Sequence, residues 1–132
     1  MAVLGARCVG GRIGEMGTGV GVGAAWMASA MPVDCRLVTV ELDPLRVAAA
    51  RRAPFDLLFV DGGPSDRVVE LLRIGGRLVF DDVTPVEALP ADSPYRMSDP
   101  KREFFFTNSR LVATEVVLPD LRNSLLVGTR VR

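Results

Sequence analysis

Apolar positions change their period several times along the chain, and each change marks an element. Arg36–Leu42 (RLVTVEL) and Phe55–Asp61 (FDLLFVD) are nearly continuous apolar runs, β-branched or aromatic, the pattern of strands buried on both faces. GGRLVFDD (Gly75–Asp82) predicts a third strand after a Gly-Gly turn, and Arg12–Met16 a short first one that ends at glycines. Between them the pattern turns helical. Val20–Met31 is rich in Ala and Met and is stopped by Pro32. DPLRVAAARR (Asp43–Arg52) offers Asp43 as N-cap and Pro44 at the first helical position. DRVVELLR (Asp66–Arg73) predicts another helix. Thr84–Ser98, polar and Pro-rich, reads as a surface loop, after which Asp99-Pro100 caps a short helix through Phe104–Phe106. RLVATEVVL and SLLVGTRV, joined by PDLRN, predict a terminal antiparallel hairpin. Strands alternating with helices predict an α/β fold whose sheet is mostly parallel, closed by the antiparallel hairpin.

Composition narrows the class. A length of 132 residues suits one domain spanning 1–132, and 48% hydrophobic residues with a mean hydropathy of +0.27 exclude a disordered chain. Sixteen basic and sixteen acidic residues cancel, so charge gives no reason to expect nucleic acid or an anionic membrane as partner. Ile13–Met31, the longest nearly uncharged stretch, is interrupted by Glu15 and filled with glycine, unlike a membrane span. Met1–Gly10 has neither a basic n-region nor a long apolar h-region, and Cys8 and Cys35 lack disulfide or zinc spacing. A reduced, cytoplasmic setting is the expectation. There is no histidine, which removes the commonest general base and the commonest transition-metal ligand.

Candidate chemistry gathers at GEMGTGVGVGAAW, where Gly17, Gly19, Gly21 and Gly23 alternate directly before helix formers. Such a cluster marks backbone in unusual dihedrals or backbone approached closely by something else. Strand, glycine loop, helix, and a following strand ending in Glu41 form a nucleoside-binding order, the acid being placed to hold ribose hydroxyls. The plainer alternative is that the glycines let the helix pack on the sheet and Glu41 is a solvated strand end. Two ligand classes fit. Gly19-x-Gly21-x-x-Ala24 matches a relaxed dinucleotide fingerprint and would suit NAD, whereas Glu15-Met16-Gly17-Thr18-Gly19 reads as E-x-G-x-G.

GEMGTGVGVGAAWMA, VTVELDPLRVAAARR, PFDLLFVDGG and LLRIGGRLVFDDVTP, in that order, resemble successive motifs of class I S-adenosylmethionine-dependent methyltransferases. The likeness is greatest to the small O-methyltransferase branch that includes catechol and caffeoyl-CoA O-methyltransferases, whose closing hairpin the tail from Asp99 is similar to. The resemblance implies a Rossmann-like fold and S-adenosyl-L-methionine as cofactor. It places Glu15, Gly17, Thr18, Gly19 and Gly21 against the methionine moiety and ribose, Glu41 on the ribose hydroxyls, and Asp61 at the methionine end facing the substrate. Asp61 is thereby the candidate catalytic residue. The implied partners are a small-molecule methyl acceptor and a second copy of the chain as a homodimer.

Asp61 and Asp81 each close a predicted parallel strand, so they should emerge at the same sheet edge with Asp82 beside them. Three hard oxygen donors suit Mg²⁺ or another divalent cation. The alternative is that Asp81 ends a strand and Asp82 begins a turn. In metal-dependent members of the resembled branch, acids at such positions hold a cation that lowers the acceptor's pKa. There a carboxamide often stands where this chain has Asp82, and a lysine base where it has Pro64. Lys101, the only lysine, is distant in sequence, and spacing does not support Asp66 or Tyr95 as a substitute base. Phe104–Phe106, Trp26 and the helical methionines are expected in packing, and Arg51-Arg52 at a solvated helix end.

One expectation concerns a junction. In the resembled family a further strand and helix precede the strand corresponding to Phe55–Asp61, whereas VAAARR runs directly into APFDLLFVD. Helices on opposite sides of a doubly wound sheet cannot be merged without breaking crossover handedness. A segment omitted between Arg52 and Ala53 is the favoured explanation, with natural loss of one edge strand as the alternative. A smaller omission between Asp61 and Asp66 is also allowed for.

Overall fold

The structure, a computed structural model, describes residues 5–6, 8–40, 53–61, 65–119 and 122–132. Among them, strands β1 (Arg12–Met16), β2 (Arg36–Val40), β3 (Phe55–Val60), β4 (Leu72–Val83), β5 (Leu111–Val117) and β6 (Ser124–Arg130) form one sheet in the order β2-β1-β3-β4-β6-β5. The β1–β2, β1–β3 and β3–β4 pairs are parallel, whereas β6 runs antiparallel to both neighbours. The chain therefore enters at β1, steps outward to β2 and crosses back to β3. That reversal makes the carboxyl ends of β1 and β3 a topological switch point, where open α/β sheets bind ligands.

The continuous apolar runs are explained by two cores. On one face Leu58, Val60, Leu78, Phe80 and Leu126 pack with Val68, Val69 and Phe105. On the other, Leu57, Phe59 and Val79 pack with Ile13, Met27, Cys8 and Cys35. Successive residues of β3 and β4 thus serve opposite faces, as a strand requires. Both cysteines are free thiols, and burial, followed by a hydrogen bond with Cys35, pushes Cys8 up to about 12. Such a thiol has almost no thiolate at neutral pH.

Helices cover parts of these faces. Helix α1 (Val22–Ala28) is shorter than the predicted Val20–Met31 because Gly21, at φ 83°, forms its N-terminal boundary. Helix α2 (Asp66–Glu70) ends before the predicted Arg73, and β4 starts at Leu72, ahead of the Gly-Gly pair. Local helical pattern yields here to burial, since Leu72 pairs with Phe55 and is 1% exposed. Arg130 from β6 also reaches the carbonyls of Val69, Glu70 and Leu72 and takes up the end of that helix. At Gly76 a Cβ would come within 2.8 Å of the Phe55 carbonyl oxygen, so glycine lets β4 pass β3 there.

The loop expected at 84–98 contains two single turns of tighter helix, Val86–Ala88 and Pro94–Arg96, and Arg96 pins it by donating to the carbonyls of Val86 and Leu89. Helix α3 (Pro100–Thr107) begins as predicted, the Asp99 side chain accepting from the amides of Lys101 and Arg102. The terminal hairpin also forms as predicted. Glu41, the expected helix Asp43–Arg52, the Arg52–Ala53 junction and positions 62–64 with Pro64 lie outside the described residues. Among those described, β2 and β5 are the edge strands and no helix is long and apolar enough to cross a membrane.

Helix α3 is joined to β5 by a charged contact. Arg102 donates bidentately to Glu115 at 2.7 and 2.8 Å, to Asp99 at 2.8 Å and to the Thr84 carbonyl at 2.7 Å, while Ser124 Oγ lies 2.5 Å from Glu115. The hydrogen bonds from Arg102, then from Ser124, hold the Glu115 carboxyl below its usual range, against the opposing effect of burial. A carboxylate depressed in the folded state stabilises fully above its unfolded pKa, and that contribution is lost as pH falls through the folded value. Glu115→Ala should therefore cost about 3 kcal/mol in urea unfolding at pH 7, since it leaves a mostly buried guanidinium with one carboxylate fewer. The difference between variant and wild type should shrink as unfolding is repeated at pH 4 and below.

Candidate functional site

The carboxyl ends of β1, β3 and β4 meet at one edge. The chain leaving β1 is clamped there, the Gly17 amide donating to the Val40 carbonyl at 2.9 Å and the Asp61 amide to the Met16 carbonyl at 2.8 Å. Gly17 takes φ 100°, and a Cβ on it would lie 2.8 Å from that of Asp61. Only glycine lets the loop pass so close. Gly19 and Gly21 have φ of 47° and 83°, and a Cβ on either would meet open space. Their role is dihedral, and they leave bare backbone beside the ends of β1 and β3.

Glu15 lies beneath this loop. It is 2% exposed, it pairs in register with Thr39 of β2, and its carboxylate accepts from the Thr39 hydroxyl at 2.7 Å. Thr39 in turn is hydrogen-bonded to Thr18 of the loop. A Cβ at Gly23 would overlap Glu15 Oε1, so that glycine lets α1 pack over the buried acid. Glu15 and Thr18 thus brace the loop, in which Gly19 is exposed and Gly17 and Gly21 are half-buried.

The predicted acids converge. Asp61 follows β3, Asp81 and Asp82 lie near the end of β4, and one ligand oxygen from each falls within 4.8 Å of the other two. Two oxygens bound to one hard cation at about 2.0–2.6 Å can be no more than about 5 Å apart, so the set fits such an ion in both spacing and donor type. Asp81 is half-buried, and burial, then Asp82, then Asp61 raise its carboxyl above the usual range, partly offset by Lys101.

That lysine, distant from the acids in sequence, is close to them in the fold. Lys101 Nζ donates to the Asp81 carbonyl at 3.1 Å and to the Asp82 carbonyl at 3.5 Å. Nothing short-range signals this. The signal is topological, in that the Asp99 cap fixes the start of α3, and α3 packs on β4 through an edge-on contact of Phe105 with Phe80, centroids 5.2 Å apart. Trp26 and Phe106 are exposed, whereas Phe105 and Met27 are core residues, so the packing role expected of this group holds for only some members.

No family model matches the chain. A protein named probable O-methyltransferase from Mycobacterium tuberculosis is 30% identical over 90 residues, covering 62% of this chain and 40% of that protein. The chain spans about two fifths of the length of the curated relatives it matches first. Among solved structures, the O-methyltransferase TomG from Streptomyces achromogenes, in complex with SAM, is 24% identical with a TM-score of 0.60, covering 99% of this chain and 76% of that one. An O-methyltransferase from Bacillus cereus in complex with SAH is 19% identical with a TM-score of 0.62, covering 98% and 76%. The chain has a Rossmann-like methyltransferase fold. In sequence it is related to proteins named O-methyltransferases, as its motifs suggested.

Crowding at Asp61 separates two glycines. Gly17→Ala should cost about 2–4 kcal/mol, combining a strained dihedral with overpacking. Gly19→Ala carries only the left-handed penalty, about 1 kcal/mol. Thermal unfolding of both variants is the check; equal costs would mean that Asp61 does not restrict the loop.

Proposed function

We propose that this chain is the S-adenosyl-L-methionine-binding domain of a methyltransferase that methylates an oxygen of a small molecule. One observation carries the reading: the bare-backbone loop at the switch point directly adjoins the site of Asp61, Asp81 and Asp82. Gly17, Gly19 and Gly21 would border the nucleoside and its methionine tail, Glu15 and Thr18 would hold that loop in shape, and Glu41 would accept the ribose hydroxyls. Bound there, S-adenosylmethionine would supply its methyl group to the acceptor oxygen and leave as S-adenosylhomocysteine, and the acceptor's proton would pass to solvent. The protein's main contribution is to hold the two reactants in near-attack geometry. Asp61 borders both the loop and the acid cluster, which suits it to orient the acceptor.

Asp61, Asp81 and Asp82 would hold a divalent cation such as Mg²⁺. A bound cation supplies orientation of the acceptor hydroxyl and a lower pKa for it. A reducing, cytoplasmic setting belongs to this reading, supported by the free thiols of Cys8 and Cys35.

Calorimetry with S-adenosylmethionine, S-adenosylhomocysteine and NAD tests the cofactor. The first two should bind and NAD should not; the reverse would make the fold a dinucleotide binder. Charge-assisted hydrogen bonds to ribose are worth roughly 1.5–3 kcal/mol each, so Glu41→Ala should weaken S-adenosylmethionine binding by about ten-fold or more in a folded protein. Turnover against phenols, catechols and acyl-CoA esters, with and without chelator, tests the chemistry. Cofactor binding without turnover would indicate a non-catalytic module, for which Pro64 at the resembled base position argues.

The raised pKa of Asp81 gives the cation a pH signature. An acid raised in the folded state weakens the fold progressively as pH climbs from the unfolded pKa through the folded one, and a bound cation offsets this. Mg²⁺ should therefore raise Tm at pH 7.5 and lose this effect as pH falls into the carboxylate range, where protons compete for the same oxygens.

A further inference from the structure

Asp81 and Asp82 are neighbours in a strand, and neighbouring strand residues point to opposite faces of the sheet. Their carboxylates nevertheless share one site with Asp61. The cause is an irregularity in β4. Phe80 pairs with Leu126 and Val83 with Ser124, so three steps along β4 face two along β6. This is a β-bulge, a device that redirects side chains. Within it Asp82 takes φ 53°, and it is the one non-glycine residue among those described with positive φ. The left-handed conformation is unfavourable for a residue bearing a Cβ and persists only where surroundings hold it.

Lys101 is placed to hold it. The carbonyls that its ammonium reaches, those of Asp81 and Asp82, belong to the two peptide planes on either side of the Asp82 α-carbon. Fixing both planes fixes the dihedrals between them. We infer that Lys101 is a positioning residue for the carboxylate site, acting through the backbone bulge that turns Asp81 and Asp82 toward Asp61. The inference rests on the cation reading above and assigns Lys101 no contact with substrate or cofactor. It also accounts for an oddity, a lysine beside three acids that donates to carbonyls and leaves carboxylate oxygens for another partner.

The geometric role and simple electrostatics predict opposite signs. Removing a positive charge beside three acids would by Coulomb attraction alone tighten cation binding. Releasing the bulge would weaken it. Calorimetric titration of Mn²⁺ into wild type, Lys101→Met and Lys101→Arg reads the sign directly, with near-ultraviolet circular dichroism confirming that each variant folds. Lys101→Met should weaken Mn²⁺ binding by roughly 10- to 100-fold, the usual cost of removing an outer support of a metal ligand. Lys101→Arg, which can also donate to two carbonyls, should recover part of that loss. Unchanged or tighter binding by folded Lys101→Met overturns the inference while leaving the cation site standing. Should that variant not fold, Lys101→Gln carries the test under the same criterion. A wild-type protein that takes up no Mn²⁺ overturns the cation reading itself, and the role of Lys101 with it.

Discussion

The carboxyl end of β4 departs from regular pairing, and its carbonyls must find partners elsewhere. Helix α3 and the start of β6 supply them. Lys101 takes the carbonyls of Asp81 and Asp82, the next residue, Arg102, takes that of Thr84, and Ser124 Oγ stands 3.0 Å from that of Val83. Because Arg102 also grips Asp99 and Glu115, the helix start, the end of β4 and the closing hairpin share one network. Shifting any of them would disturb the place where the acids meet. The strand end where the acids meet is thus held through its backbone carbonyls.

The glycine loop is held differently. Its support comes from Glu15 and Thr39 below and from the strand carbonyls at its base, with few side chains of its own. A braced loop and the acidic cluster beside it form two halves of one candidate site on one sheet edge. The parallel order of β1, β3 and β4 is what brings the halves together.

Much of this was legible in the chain. Buried strands announce themselves because burial on both faces leaves no polar alternation, and the Asp99-Pro100 pair marks a helix start through local chemistry alone. Convergence of Asp61 with Asp81 followed from strand ends and parallel topology. What stayed hidden was non-local. Leu71 and Leu72 continue a helical pattern, yet the demand of the core for Leu72 ends the helix. The bulge at Asp82 has no glycine to advertise it, and Lys101 reaches the acids only because α3 folds back over β4. The inward turn of Glu15 was equally invisible, since a motif gives the order of residues and not the direction of a side chain.

The order of strands also divides the chain by how far its contacts reach. The β5–β6, β3–β4 and β1–β2 pairs join residues no more than 24 apart in sequence, Arg12 with Arg36 being among the widest. The β1–β3 pair instead joins residues 44 apart, as Ile13 with Leu57, and β4–β6 residues as far apart as Arg77 and Thr129. Short-range pairings close smaller loops and form faster than long-range ones. The β1–β2 and β3–β4 pairs and the β5–β6 hairpin can accordingly form early as separate pieces, which the β1–β3 and β4–β6 pairings then join. On that route Asp61 and Asp81, at the ends of paired strands, come together early. The glycine loop meets them only when β1 docks on β3, and Lys101 only when the hairpin docks on β4. The cleft is thus the last thing a nascent molecule completes and the first a thermally opened one loses.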